Sequence, residues 1–326
     1  MSPEDREDLL VRIASLYYEH DYSQQQIAEM LKISRSNISR LLKEAKQKGL
    51  VEIRIHKRIA TVPGLEREFI SRFGLAHAMV VESRDMSYEE RLSAAGQLAA
   101  WYLEQTLRQH DVLAISWGTG VSAAVNAFTP NKSLNIDVVQ MIGSVGTVDS
   151  VIDGPELARQ LALKLGGQYY YLHAPLFVDS QTTRDRFLEQ PMIADTLNRA
   201  RRATAALVGI GTTEVGASSF LRAGHLTEEQ LAELRGQGAI GETSGKHFDI
   251  EGRADFDINH RVIALSLPYL RQIPHVVAVA CGLPKRRSIL GVMRGGYIKA
   301  LATDEVTATA ILQEAEKEAL RHPTTG

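Results

Sequence analysis

Three short segments of this 326-residue chain bring glycine and hydroxyl residues together: "SWGTG" with Gly118, Thr119 and Gly120, "IGSVG" with Gly143 and Ser144, and "GIGTT" with Gly209, Gly211 and Thr212. Each follows a short apolar run, so its backbone N–H groups and hydroxyls stand where a strand ends, the place at which an open α/β sheet receives a ligand. Groups of this kind hold phosphates and sugar hydroxyls. Lys285, after "ACGLP", adds a cation. One glycine-bearing turn is also what chain geometry alone would select. Three of them with a lysine point to an anionic or hydroxyl-rich small ligand. Neither the P-loop pattern nor the spaced dinucleotide fingerprint is present.

A second chemistry lies near the start, in "SQQQIAEMLKISRSNISRLLKEAK". Ile27, Leu31, Ile33, Ile38 and Leu41 form the seam of two short helices crossing through a tight turn, and the small Ala28 lets them approach. Ser34 is placed to cap the second helix. At about 100° per residue, Ile38, Leu41, Leu42 and Ala45 share one face of that helix. Ser36, Arg40, Lys43 and Gln47 lie opposite, with Ser39 at the side. An apolar inner face with a hydroxyl, amide and guanidinium outer face suits a helix lying in a major groove of DNA. In "SRSNISR", Arg35, Ser36, Asn37, Ser39 and Arg40 are the expected base-reading set, Arg40 being able to donate two bonds to guanine. Lys43 and Lys46 are expected at phosphates, as are Gln24, Gln25 and Gln26 from the supporting helix.

The elements that must position this surface are legible around it. Leu9, Leu10, Ile13, Leu16 and Tyr17 recur with helical spacing and supply a third helix. Lys32 stands at a turn position that often needs glycine. Gly49 stops the second helix, and the alternating Val51, Ile53 and Ile55 predict a strand or wing.

Charge supports the assignment. The formal net charge is −2, yet between residues 32 and 58 nine cations, Lys32, Arg35, Arg40, Lys43, Lys46, Lys48, Arg54, Lys57 and Arg58, face only Glu44 and Glu52. A local basic surface is what phosphate neutralisation requires, although a lysine-rich solvated helix would carry a similar run. With 44% hydrophobic and 23% charged residues the chain is ordinary globular protein, outside the disordered and collagen-like classes. The single Cys281 precludes an intramolecular disulfide, and no apolar run is long enough to span a bilayer. With no signal peptide legible, the expected location is the cytoplasm.

Beyond the basic region, apolar runs alternate with helical patterns, which predicts an α/β domain with a mainly parallel sheet wrapped by helices. The expected division is a helix-turn-helix domain over 1–56 and an α/β ligand-binding domain over 57–326, to which the family resemblance given below adds oligomerisation. Trp101, Tyr102 and Tyr169 to Tyr171 read as packing residues, and Val306, Ala310, Ile311 and Ala315 as an apolar stripe on the last helix. The ten histidines show no close ligand spacing, so neither a metal nor another cofactor is expected.

The segment "IASLYYEHDYSQQQIAEMLKISRSNISRLLKEAKQKGLVEIRI" resembles the N-terminal domain of the SorC family of bacterial sugar-responsive transcription regulators, in which "LYY", "IA", "ISR" and "SRLL" recur in this order. The resemblance runs through "SWGTGVS" and "VAVACGLPKRRSILGVMRGGYIKALATDEVTA", covering nearly the whole chain. It implies a second domain like the sugar-phosphate isomerase and glucosamine-phosphate deaminase fold, a sugar or phosphosugar effector that alters affinity for operator DNA, and a homotetramer built as a dimer of dimers. It also makes Lys285 a ligand-facing lysine. In "GAIGETSGKHFDIEG" it puts Glu242 where the family has aspartate and Lys246 where it has arginine, both in the effector site. An isomerase or deaminase with an appended DNA-binding domain is the alternative reading. It would need an acid/base pair from carboxylates such as Asp137, Asp153, Asp179 and Glu242, for which no diagnostic spacing exists.

Overall fold

The computed structural model describes residues 3–51, 59–130, 133–146 and 152–321. By internal packing the chain divides into two units, Met1–Arg58 and Ile59–Gly326.

The first unit is three helices: α1 (Pro3–Tyr18), α2 (Gln24–Leu31) and α3 (Arg35–Gln47). α2 starts in a capping box, the Ser23 hydroxyl accepting the Gln26 N–H while the Gln26 side chain accepts the Ser23 N–H at 2.9 Å. This occupies Gln26, which the sequence reading had at phosphates. α2 ends with Lys32 in the left-handed region at φ 53°, and the Lys32 and Ile33 N–H groups both reach the Ala28 carbonyl. Ser34 then caps α3 through the Asn37 N–H at 3.3 Å. α3 closes with Gly49 at φ 72° and the Leu50 N–H bonded to the Ala45 carbonyl. Leu10, Ile13, Ala14, Ile27, Ala28, Ile38, Leu41, Leu42 and Ala45 form the core of this unit. Arg6 on α1 grips Glu44 on α3 through two bonds of 2.9 and 2.7 Å. Ile53 and Ile55 of the expected wing, and the expected domain boundary at 56, lie outside the described residues.

The second unit opens with α4 (Pro63–Phe73), β1 (His77–Val81), α5 (Tyr88–Thr106), β2 (Val112–Ile115), α6 (Thr119–Ala127), β3 (Ile136–Gln140), α7 (Gly154–Leu165) and β4 (Gly166–Tyr170). It continues through α8 (Gln181–Leu188), α9 (Pro191–Arg201), β5 (Ala205–Gly209), β6 (Gly211–Thr212), α10 (Ser219–Arg222), α11 (Glu228–Gly236), β7 (Gly241–Thr243) and β8 (Lys246–Phe248). α12 (Leu267–Gln272), β9 (His275–Val279), α13 (Arg286–Arg294), β10 (Ala300–Asp304) and α14 (Glu305–Arg321) complete it.

Seven strands form a parallel sheet in the order β1-β10-β9-β5-β2-β3-β4. Alternate residues of the central strands enter different cores. Ala206, Val208, Val276 and Ala278 join the layer with α4, α9, α12, α13 and α14, while Ala205, Leu207, Val277 and Val279 join the layer with α5, α6 and α7. Burial on both faces explains why these strands read as continuous apolar runs. The antiparallel sheet β6-β7-β8 was not foreseen, because strands of two or three residues give too few alternations to register.

Some aromatic and apolar assignments need correction. Trp101 is 59% exposed, and Tyr169, on the edge strand β4, and Val306, on α14, also face solvent, whereas Tyr102, Ile311 and Ala315 are buried. α5 and α6 meet closely because α5 carries small residues; a Cβ on Gly96 would lie 2.5 Å from the Ala123 carbonyl carbon. Gly96→Ala is therefore expected to lower unfolding stability by about 1–3 kcal/mol despite the better helix propensity of alanine, measured as a shift in urea midpoint at unchanged slope.

Candidate functional site

The first candidate surface lies on α3. Arg35, Ser36, Asn37, Ser39, Arg40 and Lys43 are all exposed, while Ile38, Leu41, Leu42 and Ala45 hold the opposite face in the core. Ser36 sits 3.1 Å from the Ser34 capping hydroxyl, which places it at the start of the helix. Gln25 is exposed with its amide on Glu29, and Gln24 is half-buried at the start of α2. Lys46, also exposed, rests its ammonium 5.6 Å from the Tyr18 ring centre.

The second candidate is a cleft at the carboxyl ends of β2 and β5. From β2 the chain crosses through α6 to β3 on one side, whereas β5 lies on the other side of β2 and is followed in the sheet by β9. Chain leaving two neighbouring parallel strands in opposite directions opens a crevice between them. That crevice is an open cleft lined by Ser116 to Gly120 after β2 and by Gly209 to Gly211 at the end of β5. Gly118, at φ 109°, begins α6 with no side-chain cap, so the first turn of a nine-residue helix presents its N–H groups here.

The antiparallel sheet brings in the rest. Gly211 on β6 pairs with Glu242 on β7, and a Cβ at Gly211 would lie 2.2 Å from Glu242 Oε1, so only glycine allows this approach. Thr243 donates to the Gly209 carbonyl at 2.9 Å, tying β7 to the end of β5. Thr212 donates to the Pro284 carbonyl at 3.1 Å, drawing in the turn that carries Lys285. Glu242, Ser219, Arg222, Ser244 and Lys285 all line the cleft. Glu242 is buried, and burial pushes its carboxyl up to about 7 against the opposing pull of the Gly245 N–H at 2.9 Å, the Lys285 ammonium and the Ser219 hydroxyl. Burial also lowers the Lys285 ammonium from its ordinary value.

Of the residues expected at the ligand, the structure gathers Gly118, Thr119, Gly120, Gly209, Gly211, Glu242 and Lys285, which come from four separate stretches of chain. Gly143 and Ser144 lie outside the cleft. Ser144 gives its hydroxyl to Asp153, which caps α7, and Gly143 packs so tightly on Pro175 that a Cβ would lie 2.3 Å from the Pro175 carbonyl oxygen. Thr212 also faces away, committed to Pro284. Lys246 also lies outside the cleft lining: its ammonium donates to the Asn259 and Val262 carbonyls at 2.6 and 3.1 Å, and burial lowers it to about 8.

Known protein families match both parts of the chain. Residues 57–313 match the family described as "Putative sugar-binding domain", and residues 8–68 match the Crp-like helix-turn-helix domain. The "Deoxyribonucleoside regulator" of Bacillus subtilis is 31% identical over 311 residues, covering 95% of this chain and 99% of that protein. The "Sorbitol operon regulator" of Klebsiella pneumoniae is 30% identical over 308 residues, covering 94% and 98%. The crystal structure of full-length SorC from Klebsiella pneumoniae superposes with a TM-score of 0.71 at 30% identity, covering 94% of this chain and 99% of that one. The chain belongs to the SorC family of transcriptional regulators.

As a SorC-family protein it joins a helix-turn-helix domain to a sugar-binding α/β domain, and its relatives are named as regulators rather than enzymes. Among the described residues no helix is long and apolar enough to cross a membrane. Sequence reading missed Ser116, Ser219, Arg222 and Ser244 in the cleft. Ser219 and Arg222 lie on the four-residue α10, too short for any periodicity, and only the fold brings them to the cleft.

Because the folded state raises the Glu242 carboxyl above its ordinary value near 4.5, the folded protein binds more protons than the unfolded chain between about pH 4.5 and 7. Stability from this group is thus highest below that window and falls as pH rises through it. Glu242→Gln should gain on the parent by of order 2–3 kcal/mol as pH goes from 5 to 8, read as diverging urea midpoints.

Proposed function

We propose that this regulator holds a phosphorylated sugar in the cleft between β2 and β5, and that occupancy changes its affinity for operator DNA read by α3. The convergence of the uncapped α6 start, Gly209, Gly211, Glu242 and Lys285 carries this reading. N–H groups and an ammonium suit a phosphate, while a buried carboxyl and the hydroxyls of Ser116, Ser219 and Ser244 suit sugar hydroxyls. An unphosphorylated sugar or polyol is the second choice, favoured by the same carboxyl.

On α3, Arg40 with Arg35, Ser36, Asn37 and Ser39 reads bases, and Lys43 with Gln24 and Gln25 meets the backbone. Dimers would set two reading helices about one DNA turn apart, and pairing of dimers into a tetramer would let one molecule hold two operator regions. The effector must favour one arrangement over another, since equal affinity for both would leave DNA binding unchanged. The likeness to the sugar-phosphate isomerase and deaminase fold belongs to this reading, as does a cytoplasmic location. Turnover is disfavoured by the use made of the other carboxylates. Asp137 accepts the Gln168 N–H, Asp153 caps α7, and Asp179 is held low by the Thr183 hydroxyl, so Glu242 is the one carboxylate among the described residues of the cleft.

Lys285→Ala should abolish the rise in melting temperature that a sugar phosphate produces, leaving ligand-free DNA binding intact; a retained shift removes Lys285 from the phosphate site. Arg40→Ala should cost about 1–3 kcal/mol of specific binding at fixed salt, with the fold unchanged by circular dichroism. Unaltered affinity in a mobility-shift titration takes Arg40 off the reading surface.

A further inference from the structure

The cleft continues outward into a wider space, sharing Thr119, Ile152, Ala217, Arg222 and Lys285 with the inner part. Its own additions include Tyr88 and Arg91 from the start of α5, and Cys281. The two parts differ sharply in charge. The inner part contains Glu242, whereas the outer part is lined by Arg91, Arg222 and Lys285 with no carboxylate among the described residues.

Arg91 is held but not satisfied. Its Nη1 lies 3.4 Å from Oδ1 of Asp304, a fully buried carboxylate whose oxygens already accept the Thr307 N–H at 3.0 Å and the Thr307 hydroxyl at 2.6 Å. Its Nε is buried with no acceptor among the described residues. The Arg91 side chain nevertheless stays 20% exposed where it lines this space, and with one long contact to Asp304 its guanidinium has donors left for an incoming anion. Arg222 is exposed and forms no ion pair among the described residues, and its charge acts with burial to lower the Lys285 ammonium. Three cations around one space repel each other, and an anion between them relieves that repulsion.

We propose that Arg91 and Arg222, with Lys285, form an outer subsite that takes a second anionic group, so that the effector is a sugar derivative charged at both ends. This rests on the reading of the inner cleft as the sugar-phosphate site. The second group is a phosphate or a carboxylate, and the two are separable by experiment.

Calorimetric titration of the full chain with three ligand pairs tests the proposal: ribulose 5-phosphate and ribulose 1,5-bisphosphate, fructose 6-phosphate and fructose 1,6-bisphosphate, glucose 6-phosphate and 6-phosphogluconate. In at least one pair the doubly charged member should bind tenfold or more tightly than its partner, the gain expected of one charge-assisted contact. A gain confined to the bisphosphates assigns a phosphate to the subsite, and one confined to 6-phosphogluconate a carboxylate. Arg91→Lys keeps a cation beside Asp304 but loses the planar donor fork of the guanidinium, and Arg91→Gln loses the charge as well. Each should shrink the preference to about twofold while single-charge binding stays within twofold. Equal binding of both members in every pair overturns the outer subsite and leaves the phosphosugar reading standing, as does loss of affinity in the variants that is the same for both members. Binding of none of the six overturns both.

Discussion

Two adjacent parallel strands, β2 and β5, send their chains to opposite sides of the sheet, and the cleft depends on that divergence. A helix crossing directly over both strand ends would fill the space; here α6 leaves one way and the chain after β5 turns into a small antiparallel sheet. The Ser116 hydroxyl accepts the Gly209 N–H at 3.2 Å, closing the floor of the crevice, and the Gly211–Glu242 pairing then fixes how far the carboxyl reaches in. Backbone pairing thus positions the groups that face the ligand, which keeps their geometry independent of side-chain rotamers on loops.

The same pairing sets the electrostatics. A carboxyl buried on β7 with one backbone donor and a hydroxyl is poised between its neutral and charged forms near neutrality. It can donate a hydrogen bond to a sugar oxygen or accept one from a sugar hydroxyl. Lys285 approaches from a different segment, held by the Thr212–Pro284 bond, so the charge balance at the cleft depends on two independent tethers.

What could be read from the sequence, and what could not, follows from the range over which each signal acts. The turn between α2 and α3 and the two ends of α3 were legible, because Lys32, Ser34 and Gly49 act within a few residues and the apolar seam repeats at helical spacing, whereas the Ser23–Gln26 capping box was not read. The parallel sheet was legible because strands buried on both faces are unbroken apolar runs. Strand order was not, since no local pattern reveals that β5 returns beside β2. For that reason Gly118 to Gly120 and Gly209 fell on the cleft while the similar-looking Gly143 and Ser144 did not: all follow strands, but β3 lies one strand away from the divergence and its following loop is claimed by Asp153 and Pro175. Lys246 misled for a related reason, since strand alternation turns it from the Glu242 side toward two backbone carbonyls.

Lys32 in its left-handed turn has a meaning beyond local geometry. Glycine would relax the backbone there, yet glycine carries no charge, and this corner lies between α2 and α3 at the start of the basic stretch. Conformational ease and long-range attraction to a polyanion therefore pull in opposite directions at one residue. The unit tolerates a strained corner because its nine-residue core and the Arg6–Glu44 fork hold the three helices without help from the turn. Rigidity supplied elsewhere is what frees the corner to carry an ammonium.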